Sequence, residues 1–181
     1  MHDAVRSLIP VPILETERLR LRGHRVDDLA PCAAMWADPV VVRHTSGKPL
    51  SREETWTRIL RYPGMWSLLG YGFWVLVEKA GGEFVGEAGF ADFKRDLQPS
   101  IDGAPEAGWV LSSRFHGRGY ATEAMRAITT WGDEHFGNAR TVCIIHPENA
   151  ASIHVAGKCG YREYCRSMYK EHEVILFERK P

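Results

Sequence analysis

The residues best suited to chemistry form one short run. Arg114-Phe115-His116-Gly117-Arg118-Gly119-Tyr120-Ala121 follows a strand-like segment, Glu106 to Leu111, and opens directly into a helical pattern. Glycines at Gly117 and Gly119 let the backbone curl around a ligand without a Cβ in the way. The first N–H groups of the helix then stand unpaired beside the positive end of its dipole, an arrangement that binds anions. Arg114 and Arg118 add charge at the same place. The run is not a P-loop, since no Gly-Lys-Ser/Thr follows. It also departs from a dinucleotide fingerprint, because Thr122 stands where the third glycine belongs and the preceding strand is mid-chain. Taken alone, it is either a phosphate-binding turn or a tight strand-to-helix connection.

The remaining reactive side chains give weaker signals. The eight histidines contain no HExxH pair; His116 beside the loop reads as a binding or surface residue, and His146 and His154 lack any partner for a metal site. No metal is expected. Cys32, Cys143, Cys159 and Cys165 include no CxxC pair and no zinc-ligand spacing, which points to free thiols in a reducing compartment.

The elements that must position the loop can be read from periodicity. Leu19 and Leu21 alternate with Arg18, Arg20 and Arg22, so Leu14 to Arg22 is an opening strand. Asp27-Asp28 starts a helix through Cys32 and Trp36 that Pro39 ends, and Ser51-Arg52-Glu53-Glu54 has the form of a capping box for a second helix. Pro63, Gly64 and Gly70 then mark a broken, loop-rich stretch, with Arg61 to Gly72 shaping a pocket. Phe73 to Val77 and Phe84 to Phe93 form a hairpin around Gly81-Gly82, Lys94 to Pro105 is a loop, and Glu106 to Leu111 is a strand. A long helix runs from Ala121 to about His135, followed by a buried strand at Thr141 to Ile145. Asn149 caps a short helix stopped by Gly160, and Tyr161 to Tyr169 and Val174 to Phe177 close the chain as strands. The order β-α-α-β-β-β-α-β-α-β-β predicts a mixed α/β sheet flanked by helices. Residues 1–181 form one domain, with 1–13 as an extended N-terminal segment.

Hydrophobic residues make up 44% of the 181 and charged residues 25%, with zero formal net charge. That is a globular composition without a long-range field to recruit nucleic acid or a membrane surface. No run approaches the roughly 20 apolar residues of a membrane span. A cytoplasmic protein is expected, as monomer or homodimer.

Three motifs in order carry a family resemblance. Arg114-x-x-Gly117-x-Gly119 resembles the Gln/Arg-x-x-Gly-x-Gly/Ala signature of the GNAT acetyltransferases. FHGRGYATEA, ETERLRLR at Glu15 to Arg22 and PENAASIHVAGKCGY at Pro147 to Tyr161 are similar to the branch of RimJ/RimL-type ribosomal-protein N-acetyltransferases. The resemblance covers the chain from about Leu14 onward and implies a mostly antiparallel GNAT sheet. It also implies direct attack of a primary amine, on a small molecule or a protein N-terminus, on the thioester of acetyl-CoA.

The same resemblance distributes the work. The pyrophosphate would lie on Arg114, His116, Gly117, Arg118, Gly119, Tyr120, Ala121 and Thr122. A main-chain N–H among Trp109, Val110 and Leu111 would meet the thioester oxygen. Asn149 would hold the pantetheine arm as well as cap its helix, and Lys158 would reach a CoA phosphate or stand in solvent. The base would be Glu106, acting through water, or else Glu87; for each the plain alternative is a hydrogen-bonded strand carboxylate. Many GNAT enzymes place a tyrosine seven residues after the asparagine, where this chain has Ala156; in the resembled branch the serine three residues on is the proposed acid, and Ser152 holds that position. Ser152 could equally bond the helix start. Cys143 and Cys159 leave a covalent route open. Trp36, Trp56 and Trp66 would be either pocket lining or core. A non-catalytic acyl-CoA sensor of the same fold is the alternative.

Overall fold

The first strand signal folds in two pieces. In a computed structural model, which describes residues 10–180, β1 (Leu14–Glu15) and β2 (Leu19–Arg22) pair antiparallel with Leu14 opposite Leu21. Thr16 makes the break: its hydroxyl oxygen accepts the Leu19 N–H at 2.9 Å, so the chain folds back on itself. Residues 1–9 of the expected N-terminal segment lie outside the described residues.

The helices between β2 and the hairpin are longer and more continuous than proline and glycine positions predict. α1 (Leu29–Trp36) ends as expected, but Pro39 begins a further turn, α2 (Pro39–Val42), capped by the Asp38 side chain on the Val40 N–H. Proline suits a first helical position, where its missing N–H costs nothing. α3 (Arg52–Leu69) starts on the expected capping box and runs straight through Pro63 and Gly64 to a left-handed Gly70. Pro63 sits on the exposed side, while Tyr62, Met65 and Trp66 on the inner side are buried. The inner packing holds the helix where local propensity breaks it. The expected pocket-shaping loop over 61–72 is therefore mostly helix.

The rest follows the expected order. β3 (Phe73–Glu78) and β4 (Phe84–Ala91) form the hairpin, and β5 (Glu106–Leu111), α4 (Tyr120–His135), β6 (Thr141–Ile145), α5 (Ala150–Lys158), β7 (Arg162–Tyr169) and β8 (His172–Arg179) complete the chain. The sheet runs β1-β2-β3-β4-β5-β6-β8-β7, and every neighbouring pair is antiparallel except β5 and β6. α4 and α5 cover one face over Phe90, Leu111, Cys143 and Phe177. α1, α2 and α3 cover the other. The 94–105 loop extends that second face over Val142 and Leu176 through Leu97 and Ile101. No helix among the described residues is long and apolar enough to cross a membrane.

Candidate active site

The one parallel junction is where the sheet opens. β5 and β6 pair at a single register, Glu106 opposite Val142, and are not laddered beyond it. Beyond that register the strands run unpaired toward their ends, Leu111 and Ile145, and the β5 end, Trp109–Leu111, lines a cleft. That cleft, about 780 Å³ in volume, is walled by Trp109–Leu111, the turn into α4, the α2 segment with Arg43 and His44, and the first turns of α5. Parallel pairing and splay both follow from connectivity. α4 must cross over the sheet between β5 and β6, and its start sits at the mouth of the gap.

The turn into α4 is built as an anion cradle. A 3-10 turn at Ser113–Phe115 buries Phe115, and the His116 Nε2 shares a 2.9 Å hydrogen bond with the Leu111 carbonyl. Gly117 and Gly119 adopt φ of 71° and 80°, a left-handed conformation that side chains disfavour. Glu123 N–H bonds the Gly119 carbonyl, so the N–H groups of Tyr120, Ala121 and Thr122 have no helical acceptor. These groups line the cleft together with His116, Gly117 and Gly119. Arg114 and Arg118, expected over the phosphates, do not line it. They turn outward, Arg114 to Glu83 at 2.7 Å and Arg118 to Glu78 at 3.5 Å, and both guanidiniums are more than half exposed. An exposed ion pair contributes little.

Across the cleft, α5 presents its own start. Asn149 caps it, the Oδ1 accepting the Ser152 N–H at 3.1 Å. The Ser152 hydroxyl has no protein partner among the described residues, and Asn149, Ser152, His154 and Lys158 all line the cleft.

The two expected carboxylates lie elsewhere. Register places Glu87 opposite Val110 and Glu106 opposite Ala91, so both point to the face under α1 and α3. Glu87 is 1% exposed and accepts hydrogen bonds from Trp36 Nε1 at 2.9 Å and Tyr62 OH at 3.3 Å. His24 Nε2 lies 2.8 Å away and Cys32 Sγ 3.5 Å. Burial alone would raise its pKa; the His24 and Trp36 contacts outweigh that and hold it below the usual carboxylate value. Glu106 is paired on both oxygens with Arg95, at 2.6 and 2.7 Å. Neither carboxylate lines the cleft. Trp36 is thus a core donor, and Trp66, 2% exposed with its N–H on the Phe73 carbonyl, is core as well. Trp56 is half-buried.

Cys143 and Cys159, the two thiols that left a covalent route open, are poor nucleophiles. Cys32, Cys143, Cys159 and Cys165 are all free. Burial pushes Cys143 well above the ordinary thiol value and raises Cys159, which withholds the reactive thiolate from both.

Sequence reasoning missed the α2 wall. His146 does have neighbours: His44 and Glu148 gather with it, one nitrogen or oxygen of each lying within 4.8 Å of the others. The rings of His44 and His146 are 5.3 Å apart, a contact from the end of α2 to the residue after β6. A histidine in a run of small and polar residues, Val42-Arg43-His44-Thr45-Ser46, carries no periodic signal that would find it.

A family model described as "Acetyltransferase (GNAT) domain" matches residues 18–162. The chain belongs to the GNAT acetyltransferase family. It is 32% identical over 171 residues to the uncharacterized protein YkkB of Bacillus subtilis, covering 92% of this chain and 95% of that one. Against a structure assigned to the GnaT acetyltransferases from Bordetella pertussis it scores a TM of 0.82 at 32% identity, with 93% and 99% of the two chains covered. The GNAT fold is shared also with RimL, a ribosomal L7/L12 alpha-N-protein acetyltransferase solved with coenzyme A, at TM 0.76 and 18% identity over 93% and 98% of the chains.

Proposed function

We propose that this GNAT chain moves the acetyl group of acetyl-CoA to a primary amine by direct attack within a ternary complex. The observation that carries the reading is the coincidence of two features at one cleft: unpaired N–H groups at the start of α4, and a strand gap opening beside them. The first suits a pyrophosphate, the second a narrow extended arm, and the volume of the cleft accommodates both. Bound there, acetyl-CoA supplies an acyl group activated as a thioester. Gly117, Gly119 and the N–H groups of Tyr120 to Thr122 would hold the phosphates, with His116 and Lys158 beside them. Asn149 would fix the arm, and a main-chain N–H among Trp109 to Leu111 would stabilise charge on the carbonyl oxygen, an effect worth about 3 kcal/mol. Ser152, whose hydroxyl is unengaged, would donate to the departing sulfur.

A protein N-terminus is supported as acceptor by the fold shared with RimL, and a small-molecule amine fits the chemistry equally. Glu106 and Glu87 serve this site as supports. Each has both oxygens engaged, so Glu106 anchors the closed end of the gap and Glu87 ties α1 and α3 to the sheet. Those occupied carboxylates, with Ala156 in place of a tyrosine, also favour a second reading, a non-catalytic acyl-CoA sensor. A screen of primary amines with acetyl-CoA and thiol detection separates the two. The proposal expects amine-dependent thiol release, and the sensor expects binding without it.

A further inference from the structure

Resting on the acetyl-transfer reading, we propose that His44 takes the proton of the attacking amine and that His146 positions it across the strand gap. The two rings meet at the edge of the cleft: His44 lines it from the end of α2, which packs on Val110 of β5, and His146, following Ile145 of β6, stands behind His44. His44 is the half-buried titratable group on the α2 wall of the cleft and makes no hydrogen bond among the described residues. His146 is already oriented, because its Nδ1 accepts the Glu148 N–H at 3.2 Å, which leaves Nε2 to carry the proton in the neutral ring. Asp38 pins the wall in turn, accepting from Val40 N–H and from the Ser113 hydroxyl at 2.5 Å.

The surroundings disfavour the charged form of the His44 imidazole. Burial comes first, then Arg43 on its own turn and His146 opposite; together they hold its pKa below the ordinary value, with Glu148 opposing. The cleft's other titratable groups are His116, Tyr120, His154 and Lys158. A base of this kind is matched to its task, since an amine nitrogen becomes strongly acidic once it bonds to the carbonyl carbon. The nitrogen–carbon bond forms, the carbon–sulfur bond breaks, and the thiolate leaves with its electron pair to be protonated from Ser152 and solvent. The amine's proton passes to His44 and from there to water.

The test uses the full chain with acetyl-CoA and a mixture of a peptide with a free N-terminal serine, spermidine and glucosamine. His44→Gln should lower kcat/KM about 100-fold at pH 7, the scale of a lost general base. CoA affinity by calorimetry should stay within about twofold. The wild-type acid limb, lying below pH ~6.5, should vanish in that variant, and added imidazole should partly restore His44→Ala. His146→Gln should keep the limb but move it. NMR titration gives a readout independent of turnover: the His44 ring should titrate below the ordinary imidazole value and shift on addition of CoA. An unchanged acid limb in His44→Gln, or a parallel loss of CoA affinity, overturns the assignment. So does turnover abolished by EDTA, which would give His44, His146 and Glu148 to a metal. A wild-type chain that binds no CoA fails the underlying acetyl-transfer reading instead. One that binds CoA but turns over none of the amines is decided by the NMR titration, where a His44 ring at or above the ordinary value overturns the assignment.

Discussion

Arg95 grips Glu106 with two parallel hydrogen bonds, Nε to Oε2 at 2.6 Å and Nη2 to Oε1 at 2.7 Å. The guanidinium also lies over the rings of Phe93 and Tyr169, at 4.8 and 5.0 Å. One side chain therefore ties the 94–105 loop to the start of β5 and to β7, at the register where β5 and β6 last touch. Breaking the pair leaves a mostly buried charge alone. Arg95→Met is expected to cost about 3 kcal/mol in urea unfolding, the lower end of the range for such a pair because Arg95 is partly exposed. Glu106→Gln should lower turnover while leaving the pH profile in place, because the support moves but the base does not. A profile that shifts with Glu106→Gln would make Glu106 itself the proton acceptor.

Glu87 predicts the acid side of the stability curve. Its folded pKa lies below the unfolded value, so between the two the unfolded chain binds more protons and stability rises with pH. The contribution is complete above the unfolded value of about 4.3 and is lost as pH falls through the folded one. Asp28, lowered by Arg22 and the Arg25 N–H against the effect of burial, acts in the same direction. Melting temperature should fall steeply below about pH 4.3 in the wild type. In Glu87→Gln, less stable by about 3 kcal/mol at neutral pH, the slope should be shallower. Thermal melts from pH 3 to 7 check both.

Gly119 is the hinge of the anion cradle. At φ 80° a side chain adds about 1–2 kcal/mol of backbone strain, even though the nearest atom to an added Cβ, Arg18 Nη2, stands 3.5 Å away. Gly119→Ala should therefore fold with reduced stability and bind CoA at least tenfold more weakly, read by denaturation and calorimetry on one sample.

The start of α5 separates affinity from rate. Asn149→Ala removes the cap and should cost about 1 kcal/mol of stability, together with CoA affinity. Ser152→Ala keeps the backbone bond to Asn149. Turnover should drop about tenfold, or roughly 1.4 kcal/mol of lost transition-state hydrogen bonding, at unchanged CoA affinity. Equal losses in both quantities would make Ser152 a binding group.

Much of this was legible in the residues, and the exceptions share a cause. Strand β5, strand β6 and the Asn149-capped helix follow from short-range pattern and lie at their expected positions. The loop glycines are left-handed as their types predict. What pattern cannot supply is the partner of a charged side chain. Arg95 stands in a segment that reads as loop, 11 residues before its strand partner Glu106, and His24 reaches Glu87 across 63. Pro63 inside α3 is the converse: a strong local signal was overruled by three buried side chains. The α2 wall and its His44 were invisible for the first reason, since only the fold brings them to the end of β6.

The most direct test of the account is a calorimetric titration of the full chain with acetyl-CoA up to millimolar concentration. The account predicts saturable binding of one molecule per chain, weakened at least tenfold in Gly119→Ala. No detectable heat and no thermal shift in the wild type, or equal binding by the variant, would contradict it.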